Sequence, residues 1–504
     1  MTLFRRRLTL KSESSIQAEK VHSPEVPVLR NLIGGEWIDS SKAETFEVTN
    51  PATGETIAKA QNSSLEDAKR AVDLADDCRE NPNWVMNPKA RAVALYKLAD
   101  LMEGQRDALG RLLTLECGKP LKQAKGEIDA SIDTLRYNAG FARNIRGESF
   151  SMTQGSYSVV MREPMGVVGH IVPWNVPVLL LFRGMATSLA AGNICIVKPA
   201  SFTPLTTARI IELATKLPEI PRGVLSFITG PGSIIGAEIV SSPKVDMISF
   251  TGDANTGREI LKLSANSVKK LALELGGKSP DVVFADADQE KAVAGALSGA
   301  FTHSGQICFA ATRLLVHKQI HEKFVATLKQ KAQSMRVGNG LDETSELGPI
   351  ISGSQMKTVL KYIEEGKSEG ELVTGGTRLT TGELGRGNFI APTVFDNVPT
   401  KARIAQEEIF GPVVVVIPFD TEEEAVRVAN DSPYGLAAAV WTRDIKTAFG
   451  FARKVRAGTV WVNAYGKTFP EAEFGGYKQS GIGRERGLEG LHEYTQLKHV
   501  YFEL

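Results

Sequence analysis

The 504-residue chain predicts an α/β fold whose parallel sheets are covered by helices on both faces. Three observations lead there. Brief apolar runs of strand type recur from Gly166 onward and again after Leu271. Segments of helical length and period separate them, and strand–helix alternation of this kind makes parallel neighbours. Polar clusters follow several of the runs: Pro173-Trp174-Asn175, Lys198-Pro199-Ala200-Ser201 and Phe250-Thr251-Gly252-Asp253. Parallel sheets bind ligands beyond the carboxyl ends of their strands, so these clusters point to a nucleotide site.

Taken in order, residues 31–61 alternate short apolar runs with the turn signals Gly34-Gly35, Asn50-Pro51 and Thr53-Gly54, as a β-meander does. Ser64 and Asp67 form a capping-box pattern ahead of Ala68, Ala71, Val72 and Ala75, which opens a helix. Further helices are expected over 89–115 and 121–144, the first stopped by Cys117-Gly118-Lys119-Pro120, where Cys117 is read as structural. Strands follow at 166–172, 194–198, 225–229 and 247–251, with helices at 178–191, 206–216, 234–241 and 255–265. The second alternating region places strands at 281–284, 313–316 and 413–418, with helices at 289–300, 321–333, 355–365 and 421–429. The final stretch, 493–504, alternates like an edge strand and is expected to pair with another subunit.

A prior of roughly 150 residues per domain allows about three domains or two large ones, and such a chain buries ample core without staples. Hydrophobic content of 42% and charged content of 23% are ordinary for a globular protein. A net charge of +1 gives no field to hold nucleic acid or an anionic membrane. No apolar run reaches the ~20 residues of a membrane span. The four cysteines form no CxxC pair, which reads as reduced thiols in the cytoplasm. Residues 1–12 carry four basic side chains and no acid. They read as a flexible basic arm, with an import peptide as the alternative.

The stretch FTHSGQICFAATRLLV, 301–316, centres on Cys308. A thiol of ordinary pKa near ~8.5 is mostly protonated at neutral pH and needs assistance to act as a nucleophile. By itself a cysteine in an apolar segment is more often inert core. Two phosphate patterns fail. Gly276-Gly277-Lys278-Ser279 ends like a Walker loop but has Ala272 where the first glycine belongs. The run 252–257, GDANTG, has the wrong glycine spacing, although it follows a strand and opens a helix. His317 and His321 lack the HExxH context of a metal pair, and no metal is expected. No GxSxG elbow supports a serine hydrolase.

LELGGKSP (273–280) and FTHSGQICFAATR (301–313) resemble the two signature segments of the aldehyde dehydrogenase superfamily. The resemblance runs through PWNVP (173–177), KPAS (198–201), the glycine turn 252–257, EEIFGPV (407–413) and FGGYKQSGIGRE (474–485). It implies a Rossmann-like coenzyme domain (31–145 and 165–273), a second α/β catalytic domain (274–480) and a small β oligomerisation element (146–164 and 481–504) after a flexible arm (1–30). It also implies a homodimer or homotetramer acting on a small-molecule aldehyde.

The same resemblance assigns chemistry. Cys308 attacks the aldehyde carbonyl, and Asn175 with the Cys308 N–H holds the oxyanion, each donor being worth ~2.7–4 kcal/mol. Hydride leaves to NAD or NADP, and Glu274 activates the water that hydrolyses the thioester. Lys198 and Glu408 serve the ribose hydroxyls, Phe410 packs by the nicotinamide ribose, and Lys198 and Glu485 join the catalytic set. Val172, Pro173, Trp174, Ser201, Gly232, Phe250, Thr251, Gly252, Asp253, Leu275 and Gly276 complete the cofactor surface. Val176, Arg183, Ile307, Phe309 and Phe474 form the substrate pocket. Lys478 belongs to the late signature, as proton relay or as stabilising residue.

Departures from the family pattern sharpen the expectations. Ser201 stands where NAD-preferring members usually place a glutamate, and serine does not repel a 2′-phosphate, so NADP is expected to be accepted. Asp253 replaces the usual phosphate-turn serine, an unfavourable charge beside a pyrophosphate. Val176 and Arg183 occupy positions where betaine-aldehyde members often carry aromatics, which argues against a quaternary-ammonium cage. Arg183 reads a substrate carboxylate or is structural; the second arginine of the succinic-semialdehyde pattern is replaced by Thr302. His303, where asparagine is usual, is expected to support the site from behind. A CoA-acylating enzyme and a non-catalytic binding protein of the same fold remain the alternatives; Glu274, a base that the CoA route does not need, counts against the first, and intact Cys308, Glu274 and Asn175 count against the second.

Overall fold

The run Val167–Ile171 organises the first sheet. In this computed structural model, which describes residues 26–153 and 155–503, it pairs in parallel with Ile194–Lys198 on one side and Met247–Thr251 on the other. Leu225–Phe227 and Lys270–Glu274 extend the parallel core outward. The hairpin Asn31–Ile33/Glu36–Ile38 and the short strand Gly481–Ile482 add antiparallel edges, making eight strands. Because the chain builds outward from Val167–Ile171 in one direction and then returns to its other side, the crevice between the ends of Val167–Ile171 and Met247–Thr251 is a topological switch point, where such sheets bind ligands.

The second sheet has seven strands, six of them parallel, in the spatial order 371–374, 393–396, 413–419, 313–317, 280–283, 437–441, 459–462. Apolar side chains pack on both of its faces as two separate clusters, consistent with strands such as Val413–Phe419, buried almost throughout. A third, antiparallel sheet joins Glu148–Ser151, Ser156–Pro164 and Thr495–Glu503.

Local sequence explains several boundaries. Ser64 and Asp67 close the full capping box on the helix Leu65–Asp76, an arrangement whose cap is worth about 1 kcal/mol. Gly34 and Gly35, both at positive φ, make the tight turn of the first hairpin. Among the described residues no helix is long and apolar enough to cross a membrane.

Three expectations need correction. The single helix over 89–115 is two, Pro88–Gly104 and Arg106–Cys117, because Gln105 leaves the helical region (φ −115°, ψ 14°) just after a glycine. Its carbonyl oxygen Oε1 accepts from Arg209, which fixes the corner. The C-terminal strand has one partner within the chain, since Thr495–Glu503 pairs over its whole length with Ser156–Pro164, a segment too remote in sequence to suggest itself; it ends that sheet, so among the described residues its outer edge is unpaired. The arm ends before residue 28, since Val28-Leu29 pairs with Lys59-Ala60. The basic segment 1–12 lies outside the described residues.

Candidate active site

Cys308 sits on a loop fixed from every side. His303, Ser304 and Gly305 all adopt positive φ (49°, 54° and 72°), a costly backbone for the first two. At Gly305 a Cβ would lie 2.1 Å from the Gly411 carbonyl oxygen, so only glycine fits. Gln306 braces the turn, donating to the His303 and Pro349 carbonyls and accepting from Ile351 N–H at 3.0 Å. Tyr465 Oη donates to the Phe309 carbonyl at 2.6 Å. The loop therefore presents Cys308, half-buried, to a cleft of about 500 Å³ between the two large sheets.

Asn175 lies beyond the carboxyl end of Val167–Ile171, just before the helix Pro177–Ala191. Its Nδ2 donates to the Gln306 carbonyl at 2.9 Å, which locks one amide hydrogen and leaves the other beside the thiol loop. Its own carbonyl accepts from Lys119 Nζ at 2.7 Å. Lys119 is ion-paired with Glu127, both 3% exposed, and Glu127 Oε1 accepts from Val178 N–H (2.8 Å) and Leu179 N–H (3.3 Å). A buried carboxylate thus caps a helix that has no side-chain cap of its own. Behind this turn Cys117 Sγ is 3.4 Å from His303 Nε2 and 3.3 Å from the Trp174 carbonyl, which gives Cys117 and His303 a supporting place.

Glu274 ends the strand Lys270–Glu274, between Thr251 and Gly481. Burial pushes its carboxyl well above the usual carboxylate range, with Arg183 pulling it down and Glu485 pushing it up. Burial likewise raises the Cys308 thiol to about 12, against the pull of Arg183. Arg183 is buried; its Nε pairs with Glu485 and its Nη2 lies 4.0 Å from Glu274 Oε2. Its guanidinium carbon stands 5.0 Å from the Phe474 ring centroid.

The cleft gathers the expected cofactor residues. Val172, Pro173, Trp174 and Lys198 line it from one strand pair. Phe250, Thr251, Gly252 and Asp253 line it from the next, with Leu275, Gly276, Glu408 and Phe410 opposite. Gly232 lines an adjoining cavity of about 540 Å³ that shares Ile171, Phe250 and Thr256 with the first. Ser201 is exposed in the turn after Lys198 and lines neither; Ala200 does. The donor set suits a dinucleotide. Lys198 Nζ, lowered to about 8 by burial, bonds only the Pro199 carbonyl and keeps further N–H groups for hydroxyls. Glu408, raised to about 7 by burial, accepts from Gly277 N–H at 3.0 Å. At Gly232 a Cβ would meet nothing within 4 Å, leaving the outer wall open.

Asp253 acquires a reason. Its Oδ1 accepts from Asn255 N–H (2.9 Å) and Thr256 N–H (3.0 Å), capping the helix Ala254–Ser264. Of the pocket residues, Phe309 packs edge-on to Trp461 and Phe474, with Val176 and Ile307 half-buried. Lys478 Nζ donates to the Asn430 and Ser432 carbonyls. Sequence reasoning missed Gln355, whose Nε2 holds the Ile409 and Phe410 carbonyls at 3.1 Å, and the Lys119–Glu127 pair. Glu127 was findable: it lies on the buried stripe Ala124, Ile128, Ser131, Leu135.

Comparison with known proteins agrees with this geometry. The profile of the aldehyde dehydrogenase family matches residues 37–500. Betaine aldehyde dehydrogenase of Bacillus subtilis (strain 168) is 43% identical over 473 residues, 93% of this chain and 96% of the relative. The crystal structure of betaine aldehyde dehydrogenase from Staphylococcus aureus in complex with NAD+ superposes with a TM-score of 0.93 at 41% identity, covering 94% of this chain and 95% of that one. A thiol loop, an amide and a buried carboxylate meeting at a sheet switch point, in a chain matched almost end to end, place this protein in the aldehyde dehydrogenase family.

Proposed function

We propose that this protein oxidises an uncharged aliphatic or aromatic aldehyde to its carboxylic acid, using NAD+ and accepting NADP+ beside it. The observation that carries this is the opening of Cys308 onto the same cleft as Lys198 and Glu408, with Asn175 beside it. Cys308 gives its proton to water in the cleft, and its Sγ then bonds to the carbonyl carbon as the C=O π pair moves onto oxygen. The oxygen takes the negative charge and is met by the free amide hydrogen of Asn175 and by the Cys308 N–H. The bound nicotinamide supplies the hydride acceptor. Lys198 and Glu408 would hold its ribose hydroxyls, and Phe410, packed edge-on against Trp174 at 5.3 Å, would pack beside the nicotinamide ribose. Glu274 as carboxylate takes a proton from water, whose oxygen attacks the thioester and frees the acid and the thiol.

Arg183 supports the choice of an uncharged substrate. Its cation already faces Phe474, the ring a quaternary ammonium would use, and its own charge is matched by protein carboxylates instead of awaiting one from substrate. A second reading, betaine aldehyde, is favoured by the relatives' activity and by the aromatic group Phe309, Trp461, Tyr465 and Phe474. A panel of hexanal, benzaldehyde, succinic semialdehyde and betaine aldehyde, followed by reduced-nicotinamide absorbance with each cofactor, separates them. Hexanal or benzaldehyde is expected to exceed betaine aldehyde in kcat/KM by about tenfold or more; the reverse order rejects the proposal. Undetectable turnover with NADP+ rejects the reading of Ser201. Exposed Leu497, Tyr501 and Phe502 on the C-terminal strand support a homodimer or homotetramer, to be weighed by light scattering. The four free cysteines support a reducing compartment.

A further inference from the structure

Arg183 is placed as few arginines are. It is 3% exposed, on the buried helix Pro177–Ala191. A guanidinium does not give up its proton in a protein, so burying it is costly unless carboxylates compensate. Two do: Glu485 through the Nε ion pair, and Glu274 at 4.0 Å. Its Nη2 also reaches Thr251 Oγ1 at 3.4 Å, and its flat face rests on Phe474. The charged and titratable groups facing Glu274 are Arg183 from this helix, Arg484, Glu485 and Arg486 from the C-terminal turn, and Cys308 from the thiol loop; Cys308 faces Arg183, Glu274 and Glu408. Those facing Arg183 include Cys308 from the thiol loop and Tyr494 from the end of the last helix. Of the nearby charges, Arg183 is the strongest influence on both Glu274 and Cys308, and on both it opposes burial.

We propose that Arg183 is a positioning residue for base and nucleophile together, its guanidinium holding Glu485 in place while presenting one fixed positive charge to the anions that Glu274 and Cys308 become. The assignment rests on the aldehyde chemistry proposed above, and it removes Arg183 from substrate recognition. The thiolate and the carboxylate are needed at different steps, one to open the reaction and one to close it. A single permanent cation, 4.0 Å from the Glu274 carboxylate and acting on Cys308 as well, favours each anion when its turn comes, with no proton of its own to move.

The test follows Cys308 alkylation by iodoacetamide, read at its own peptide by mass spectrometry, and the pH profile of kcat, in wild type and variants. Arg183→Gln is expected to slow alkylation at neutral pH by about tenfold, the effect of one pKa unit, and to move the rising limb of kcat to higher pH. Arg183→Lys is expected to restore most of both. Arg183→Gln leaves Glu485 buried and alone, so the double variant Arg183→Gln/Glu485→Gln is made beside it; it is expected to fold as wild type and to keep a smaller shift in the same direction. Unmoved pH profiles in a folded Arg183→Gln or Arg183→Gln/Glu485→Gln variant, or a lysine variant no better than glutamine, overturn the proposal. A raised KM confined to carboxylated aldehydes, with unmoved profiles, returns Arg183 to substrate reading and also overturns it. Alkylation needs neither aldehyde nor cofactor, so a protein inactive on every aldehyde would refute the aldehyde reading while still reporting on Arg183.

Discussion

The two ends of the cleft are built on different principles. At the inner end, Asn175, Glu274, Arg183 and Glu485 are all buried and several are paired across the chain, Lys119 with Glu127, Asn175 with Gln306 and Arg183 with Glu485, while Glu274 Oε2 accepts no hydrogen bond from the described residues. At the outer end Gly232, Asp253, Asn255 and Thr256 are exposed at the starts of helical segments, and the bonds of Asp253 are local ones within two or three residues. Water levels electrostatic differences at the outer end and hardly enters the inner one. Substitutions inside should therefore act on rate by large factors, and those outside on cofactor affinity by small ones.

The sharpest break is Cys308→Ser, expected to lower kcat about a thousandfold or more while leaving cofactor affinity, followed by protein fluorescence, within about twofold; loss of both together would show that the ends are not separable. Asn175→Ala is next, at about a hundred- to a thousandfold in kcat. If Lys119 acts by holding Asn175, Lys119→Met should cost about 3–5 kcal/mol in urea unfolding, as orphaning buried Glu127 requires, together with lost kcat. Glu274 separates the steps. Its burial raises its pKa, and only the carboxylate can take a proton from water, so kcat should fall as pH drops through a value well above the ordinary ~4.3 of glutamate. Glu274→Gln should still release one equivalent of reduced nicotinamide per site before stalling, measured by stopped flow. The smallest effect is outside: Asp253→Ser removes a negative charge from the start of the helix Ala254–Ser264 and should lower the cofactor KM about threefold, less at high salt.

The same contrast governs what could be read from sequence. Strands Ile194–Lys198 and Met247–Thr251 were legible to the residue, because a strand buried on both faces is an unbroken apolar run with sharp ends. Cys308, Glu274 and Asn175 could be singled out because their flanking segments carry a family pattern. Three things were not. The break at Gln105 depends on a bond from Arg209, a residue 104 positions away. The partner of Thr495–Glu503 lies more than three hundred positions back, and periodicity says nothing about which edge a strand will join. The pairing of Arg183 with Glu485 joins a helix to a turn near the chain's end, so the residue types were visible and their contact was not. Asp253 was legible as an anomaly only; its capping bonds depend on where the following helix starts.

The strand Gly481–Ile482 lies against Leu273-Glu274, and Ser480 accepts the Leu275 N–H through its carbonyl. Residues more than two hundred positions beyond the base thus form one wall of its chamber. The burial that raises the Glu274 carboxyl therefore depends in part on a segment from the far end of the chain, and a protease nick near residue 481 should extinguish turnover while most of the structure survives.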